Sequence, residues 1–408
     1  MKAGWQMEPL GKLCEFQRGL TYAKSDEVDV SENIVLRATN IDLTTNLLDL
    51  AELKYINEKV VVPDSKLVKK GSLLICTASG SKSHLGKVAY IDEDYEHAFG
   101  GFMGMITAKN GLAPKFLFHL MTSDLYKDFI RDLSDGANIN NLKFDDLKRF
   151  QVPYPNTEEQ HRISSILDEA FEGIATAKAN AEKNLQNSRA IFESHLEAVF
   201  AQRGQGWVEK PFSELCDIKH GFAFKSEFFA TNGDYVVLTP GNFYESGGYR
   251  DRGEKQKYYT AEIPHDYVLS EGDLLVAMTE QAAGLLGSPL LVPASDKFLH
   301  NQRLGLVTKK PGIAWTNEFF FHAFNTQTVR KEIHDSASGV KVRHTSPTKI
   351  GEVVVSFPTS ISTQNAIVST LTNLQEQTQR LASIYGRKLA ALEELKKSLL
   401  HQAFSGHL

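Results

Sequence analysis

Cysteine is scarce in this chain: Cys14, Cys76 and Cys216 are the three thiols in 408 residues. They are too few and too scattered for a disulfide framework or a zinc site, and are expected as small buried core side chains. No apolar run approaches the ~18 residues of a membrane span. The opening Met-Lys-Ala-Gly-Trp-Gln-Met-Glu carries no apolar signal stretch, so a cytoplasmic protein without a membrane partner is expected. Positive charge is not in excess either. Lys and Arg number 45 against 50 Asp and Glu, a formal net charge of −5, whereas simple nucleic-acid binders are often basic overall. Catalytic motifs are missing too. There is no Asn-Pro-Pro-aromatic sequence, no Gly-x-x-x-x-Gly-Lys-Ser/Thr loop, and no Asp/Glu-x-Lys soon after Pro63-Asp64. The 13 histidines are scattered; His119 and His322, each in a Phe-His context, are read as core or boundary residues.

What the chain does contain, it contains twice. Gly4-Trp5, Pro9, Leu13-Cys14 and Gly19 return as Gly206-Trp207, Pro211, Leu215-Cys216 and Gly221. Leu36…Asn40 answers Leu238…Asn242, Leu73-Leu74 answers Leu274-Leu275, and Leu85-Gly86 answers Leu286-Gly287. Gly136 answers Gly339, and Val152…Tyr154-Pro155 answers Val355…Phe357-Pro358. A period of about 200 residues is far above that of a solenoid or propeller and means two homologous domains with their connectors.

Each globular stretch alternates short β-rich runs with Gly, Asn, Asp and Ser breaks and includes one helical stretch, Pro114–Leu133 in the first and around Thr316–His334 in the second. No regular strand–helix alternation signals a doubly wound sheet, so the domain is read as mixed α/β within an α+β fold class. Each stretch closes at a proline, Pro155 or Pro358, and a long helix follows. Thr157-Glu-Glu-Gln160 reads as a capping box opening the first helix. The expected boundaries are 1–155 and 204–358 for the two globular domains, with helices at 156–203 and 359–408.

The helices carry heptad seams. Ile163, Leu167 and Ile174 stand on the first, and Ile367, Leu371, Leu374, Leu381, Leu392, Leu395 and Leu399 on the second. About 40 to 45 residues make each helix roughly 60 to 65 Å long, and a seam of that length needs a partner. Antiparallel pairing of the two helices as a coiled coil is expected, with the repeats related by an approximate two-fold axis.

A pseudo-two-fold protein with two similar heads suits DNA, a two-fold ligand read at two half-sites. The heads agree at scaffold positions and differ in loops: Gly80-Ser-Lys-Ser-His84 faces Gln281-Ala-Ala-Gly284, and Gly136-Ala-Asn-Ile-Asn-Asn141 faces Gly339-Val-Lys-Val-Arg-His344. Three acid-free stretches, Ser65 to Ile91, Lys297 to Asn317 and Ser336 to Gly351, gather lysine, arginine and histidine within the globular halves and point to an anionic partner.

The order of two variable domains, each followed by a long helix, resembles the specificity subunit of type I restriction-modification systems. The terminal run Leu392-Glu-Glu-Leu-Lys-Lys-Ser-Leu-Leu-His-Gln-Ala-Phe-Ser-Gly-His-Leu408 is similar to that family's C-terminal signature. So is Pro155…Glu159-Gln160…Ile163…Leu167, echoed by Pro358…Gln364…Ile367…Leu371. Two departures stand out: Thr363 replaces the acid before the second glutamine, and Ile191-Phe-Glu-Ser194 replaces the Leu-Lys-Lys-Ser run. The resemblance implies a non-catalytic, DNA-binding subunit of an anti-phage restriction-modification system. Each half would be a target-recognition domain reading one part of a split sequence in double-stranded DNA. The helices would set the spacing and dock two modification subunits, which bind S-adenosylmethionine and flip an adenine for DNA methylation. Restriction subunits would supply ATP- and Mg-dependent translocation and cleavage, and this chain would bind no cofactor or metal. The competing reading is a two-headed protein-interaction scaffold on a helical rod.

Side chains suited to phosphates and base edges give candidate DNA contacts. In the first half these are Lys82, His84, Lys87, Asn138, Asn140, Asn141 and Lys143. In the second they are Lys225, Gln281, Arg303, Lys341, Arg343 and His344. Arg343 with Lys341 leads that group because Gly339 and Pro347 bracket them as a loop. Asn40 and Asn242 are repeat equivalents and are expected to be structural instead.

Overall fold

The computed structural model describes residues 4–79, 84–135, 141–202, 204–281 and 283–408. The chain divides into two compact units that do not follow chain order. One comprises Met1–Glu182 with Arg387–Leu408, the other Lys183–Gly386. Each unit therefore holds a globular half, the start of the long helix that follows it, and the end of the other long helix.

Both units are built to one plan. In the first, Cys14–Arg18, Met103–Ala108, Ser72–Cys76 and Val88–Tyr90 form a four-stranded antiparallel sheet in that order. A second sheet orders Glu27–Val28, Lys54–Ile56, Ile34–Leu36 and His97–Phe99, its last pair parallel. The second unit repeats this with Cys216–His220, Leu304–Lys309, Leu274–Ala277 and Pro289–Leu291. Its other sheet is Phe229–Ala230, Tyr258–Tyr259, Val236–Leu238 and Phe298–His300. Strands such as Ser72–Cys76 and Leu274–Ala277 are buried along their whole length. That explains their continuous apolar runs where a half-exposed strand would alternate. The helix pairs Pro114–Thr122 with Asp124–Asp135, and Asn317–Phe324 with Gln327–Asp335, cover the antiparallel sheets. A two-strand clasp ties the start of each half to its end: Gln6–Pro9 pairs with Gln151–Tyr154, and Trp207–Pro211 with Val354–Pro358.

Past each clasp the chain enters a long helix, Thr157–Phe200 or Ile361–Ser405. The helix starts correct the capping-box reading. Asn156 caps the first helix, its Oδ1 accepting from the Glu159 amide at 2.9 Å, and Ser360 Oγ accepts from the Thr363 amide at 3.3 Å. The glutamines turn inward as latches, both fully buried. Gln160 Oε1 accepts from the Ala113 amide at 2.7 Å, while its Nε2 donates to the carbonyls of Gly111 and Pro155, each at 2.9 Å. Gln364 repeats the device with the Thr316 amide at 3.0 Å and the carbonyls of Ala314 and Pro358 at 2.9 and 3.0 Å. A side-chain amide offers two donors and an acceptor, which suits it to satisfying a loop and a helix entry together.

The helix ends complete the cores. In the first unit Ile163 and Leu167 from one helix and Leu400, Ala403 and Phe404 from the other join the same buried cluster. Phe404 stands edge-on to Phe116 at 5.3 Å. In the second unit Leu371 from one helix meets Leu196, Val199 and Phe200 from the other, with Phe200 5.0 Å from Phe319. Pairing is antiparallel in the first unit, where Arg162 Nη2 donates to the Leu408 carbonyl and Lys178 bonds Glu393. Ile174, Ile367, Leu374, Leu392 and Leu399 are half-buried. Leu381 and Leu395 are not on the covered face: 39% and 47% of their surface is exposed. Their neighbours Ala382 and Lys396 are more covered, and the Lys396 ammonium lies 5.3 Å from the Phe171 ring. An aliphatic lysine stem can line a helix face, which a pattern of leucines does not reveal.

The remaining scaffold expectations concern buried polar groups. Asn40 Oδ1 accepts from the Arg37 amide and its Nδ2 donates to the carbonyls of Asp49 and Glu52, all at 2.9 Å. Asn242 likewise serves Thr239 and Gln256 at 3.0 Å. Both are turn-formers inside the fold. All three cysteines are buried, and burial pushes the Cys14 and Cys216 thiols up to about 12. His119 and His322 are buried under the long helices, 5.5 Å from Phe171 and 6.3 Å from Phe192.

Candidate nucleic-acid interface

In each half the central strand of the antiparallel sheet runs out into a segment held from both sides by backbone hydrogen bonds. In the second half the Met278 amide donates to the Arg303 carbonyl at 3.0 Å, and the Thr345 amide donates to Met278 at 3.0 Å. Thr279–Glu280 then pairs with Arg343–His344. These contacts bring Gln281, Arg303, Arg343 and His344 to one edge, with Lys341 on the turn beside them. Gln281, Arg303, Lys341 and His344 are exposed.

Arg343 is committed elsewhere, which corrects its reading as a free base contact. Its guanidinium bonds the His334 ring, and Nη2 donates to the His334 carbonyl at 2.6 Å. His334 Nε2 lies 3.6 Å from Glu280 Oε1. The buried Glu280 carboxylate in turn accepts from the amides of Gly284, Leu285 and Leu286 at 3.0, 3.1 and 3.0 Å. Arg330 clasps the same loop, donating to the carbonyls of Leu286 at 3.0 Å, Glu245 at 3.1 Å and Gly284. Burial lowers its guanidinium to about 10. Glu280 thus fixes the loop that presents Gln281, and Arg343 stiffens its neighbour. Lys225 is exposed at a 3₁₀ turn, 4.0 Å from Glu227.

The first half offers an equivalent edge with different side chains. The Thr77 and Ala78 amides donate to the Phe102 carbonyl at 2.9 and 3.1 Å, and the Leu142 amide donates to Thr77 at 2.6 Å. Asn141 bridges Ala78 and is exposed, as is Lys143 two residues on. His84 is half-buried in a short turn. Lys87 is a second correction. It is half-buried, its Nζ donates to the Ile41 carbonyl at 3.1 Å, and burial lowers its ammonium, so it braces the fold. Lys82, Asn138 and Asn140 lie outside the described residues. Beside the edge is a cleft of about 580 Å³ lined by Tyr22, Lys24, Arg37, Thr39 and Phe102. Among the described residues no group of three or more His, Cys, Asp or Glu is placed to hold a metal, and no helix is long and apolar enough to cross a membrane.

Two halves of one plan, each ending in a differently furnished edge, match a known family model. The model described as the type I restriction modification DNA specificity domain fits the chain twice, over residues 2–186 and 204–385. The chain belongs to the type I restriction-modification specificity family. It is 25% identical to the EcoKI specificity subunit of Escherichia coli (strain K12), across 99% of this chain and 89% of that one. It is 27% identical to the StySPI specificity subunit of Salmonella potsdam, across 70% of this chain and 63% of that one, so the second match spans less than two thirds of the relative. The fold is shared with a chain solved in a study of complex assembly and conformational transition of the type I R-M system. There the TM-score is 0.78 at 18% identity, covering 100% of this chain and 99% of that one. It is also shared with the HsdS subunit from Thermoanaerobacter tengcongensis, with a TM-score of 0.64 at 17% identity, covering 100% and 98%.

For this specificity-family chain, sequence reasoning missed Glu280, Arg330 and Phe102. Glu280 is a charged residue that the fold buries and Arg330 one that it half-buries, whereas a composition reading assigns both to the surface. Phe102 is an aromatic residue that the fold leaves 74% exposed; its signal was the Gly100-Gly101 pair ahead of it.

Proposed function

We propose that this chain is the sequence-reading subunit of a type I restriction-modification complex acting on double-stranded DNA in the cytoplasm. Each half reads one part of a bipartite target through the edge just described. The paired helices fix the separation of the two parts and dock two modification subunits. Methyl transfer from S-adenosylmethionine, and ATP- and Mg-dependent restriction, reside in those and further subunits. The observation that carries this reading is the repeated scaffold with divergent edges. The latches, clasps and helix plugs recur in both halves, while the exposed side chains at equivalent edges do not. Shared scaffold with changed tips is what two readers of different half-sequences require.

Reconstitution tests the division of labour. The chain mixed with its modification subunit and S-adenosylmethionine should methylate adenine in duplex DNA, and neither protein alone should do so. DNA binding by the complex should weaken with salt as phosphate contacts release counterions. Methylation or cleavage by the isolated chain would overturn the non-catalytic assignment. Binding to protein partners without any salt-dependent DNA binding would move the reading to a scaffold.

A further inference from the structure

Phe102 and Arg303 occupy the same place in the two halves, and that place is a rigid tip. The turn Gly100–Met103 closes with the Met103 amide donating to the Gly100 carbonyl at 2.8 Å, and Asn301–Leu304 closes the same way at 3.0 Å. Leu20 bridges Gly100 in parallel, as Phe222 bridges Asn301. Gly19 and Gly221, one of the repeated sequence pairs, sit so close that a Cβ on either would overlap the carbonyl of Gly100 or Asn301. Each tip is thus pinned by the central strand on one side and a glycine-bearing strand on the other. The tip residues use their carbonyls for the fold and leave their side chains exposed. A scaffold has no need to hold a Phe 74% exposed on a turn fixed in this way. Phe102 shares its cleft with Tyr22, with the cations Lys24 and Arg37, and with Glu27, whose carboxylate is paired with Lys54 at 2.6 Å.

We propose that Phe102 and Arg303 are equivalent specificity-determining residues. Phe102 makes an apolar contact with the C5 methyl of a thymine in one half-site, and Arg303 donates to N7 and O6 of a guanine in the other. The chemistry follows from what base edges display in the major groove. The thymine methyl is the apolar feature there, and guanine presents the paired acceptors that an arginine fork fits. The inference rests on the reading of the chain as a DNA-specificity subunit and names which residues divide the two halves.

The test uses the complex of the full chain with its modification subunit. Its bipartite motif is first defined by methylome sequencing. Binding is then measured on duplexes with each thymine of the motif replaced in turn by deoxyuridine, which lacks the methyl. One thymine should be found where this replacement weakens the parent about fourfold, the equivalent of one buried methyl. At that position Phe102→Ala should show no further loss, Phe102→Leu should retain part of it, and the other half-site should be indifferent. In the second arm, 7-deazaguanine at one guanine of the other half should cost the parent about tenfold and Arg303→Ala nothing more. A bipartite motif with no thymine coupled to Phe102, or equal losses at every base, would overturn the Phe102 assignment and leave the DNA-reading function standing. An Arg303 effect that ignores 7-deazaguanine and only reduces the salt slope would make it a phosphate contact and overturn its assignment. A parent complex that yields no bipartite motif would sink both readings together.

Discussion

The two halves differ least where they are most buried and most where the chain leaves the central strand. Gln160 and Gln364 make the same three kinds of bond, and Phe404 and Phe200 plug the same place in their cores. Yet the position after the shared strand is Ser79 in one half and the buried Glu280 in the other. That single carboxylate organises three loop amides and stands beside His334, which holds Arg343. The contrast teaches that divergence here is not confined to exposed tips. The second half has rebuilt the support under its tip as well, so its loop comes with an internal electrostatic clamp. A second contrast lies under the helices. Both histidines keep a buried Nδ1 without a hydrogen-bond partner, but His119 Nε2 donates to Asp168 at 2.8 Å, whereas at the position equivalent to Asp168 the second helix carries Thr372.

The largest expected effects test the shared part. Phe404→Ala should destabilise the first half by about 3–5 kcal/mol and Phe200→Ala the second by a similar amount, as for other buried Phe truncations. Hydrogen exchange resolved along the chain checks this. Faster exchange in residues 10–150 for Phe404→Ala, at the far end of the sequence, is the expected signature, and uniform loss in both halves would break the claim of separate cores. Next come the latches. Gln160→Leu and Gln364→Leu strand buried backbone groups, at about 1–3 kcal/mol for each group left unpaired, and thermal unfolding should drop alike for both. A drop for only one would mean that the repeat of geometry is not a repeat of energetics.

Acid should separate the halves more gently. Burial holds His322 down at about 4, against an ordinary 6.5, and lowers His119 too, with the Asp168 hydrogen bond pulling the other way. A histidine kept neutral in the fold takes up its proton on unfolding. Its contribution is therefore complete above pH 6.5 and is lost as pH falls towards 4, by up to about 3 kcal/mol for His322. His322→Leu should flatten the acid limb of a stability–pH curve, and His119→Leu should flatten it less. Smallest is the difference at the edge itself. Arg343→Ala should chiefly lower the stability of the 338–344 turn, seen as faster local exchange, while Arg303→Ala should leave stability unchanged within about 0.5 kcal/mol as a surface change. The reverse pattern would exchange their roles.

Much of this was legible in the sequence, and the failures are instructive. The repeat, the closing prolines and the long helices followed from spacing, because a duplicated scaffold repeats its glycines, prolines and core leucines at one offset. The structural roles of Asn40 and Asn242 followed from their being repeated. Gln160 was visible as a marked position, but its direction was not. A glutamine three residues into a helix serves the cap or the loop behind it depending on tertiary contacts. Leu381 and Leu395 fell on the wrong face because the helix track drifts relative to a strict heptad, and the half-buried Lys396, its ammonium over the Phe171 ring, takes the covered place beside Leu395. Arg343 looked free because its partners, His334 and Glu280, are brought to it only by folding.

The central claim is that one scaffold, used twice, reads two different half-sequences. Methylome sequencing of cells expressing this chain with its modification subunit tests it most directly. The account predicts new adenine methylation at a split motif, two short specific halves around a fixed unspecific gap. No new methylation despite a stable complex, or methylation at a single uninterrupted motif, would contradict it.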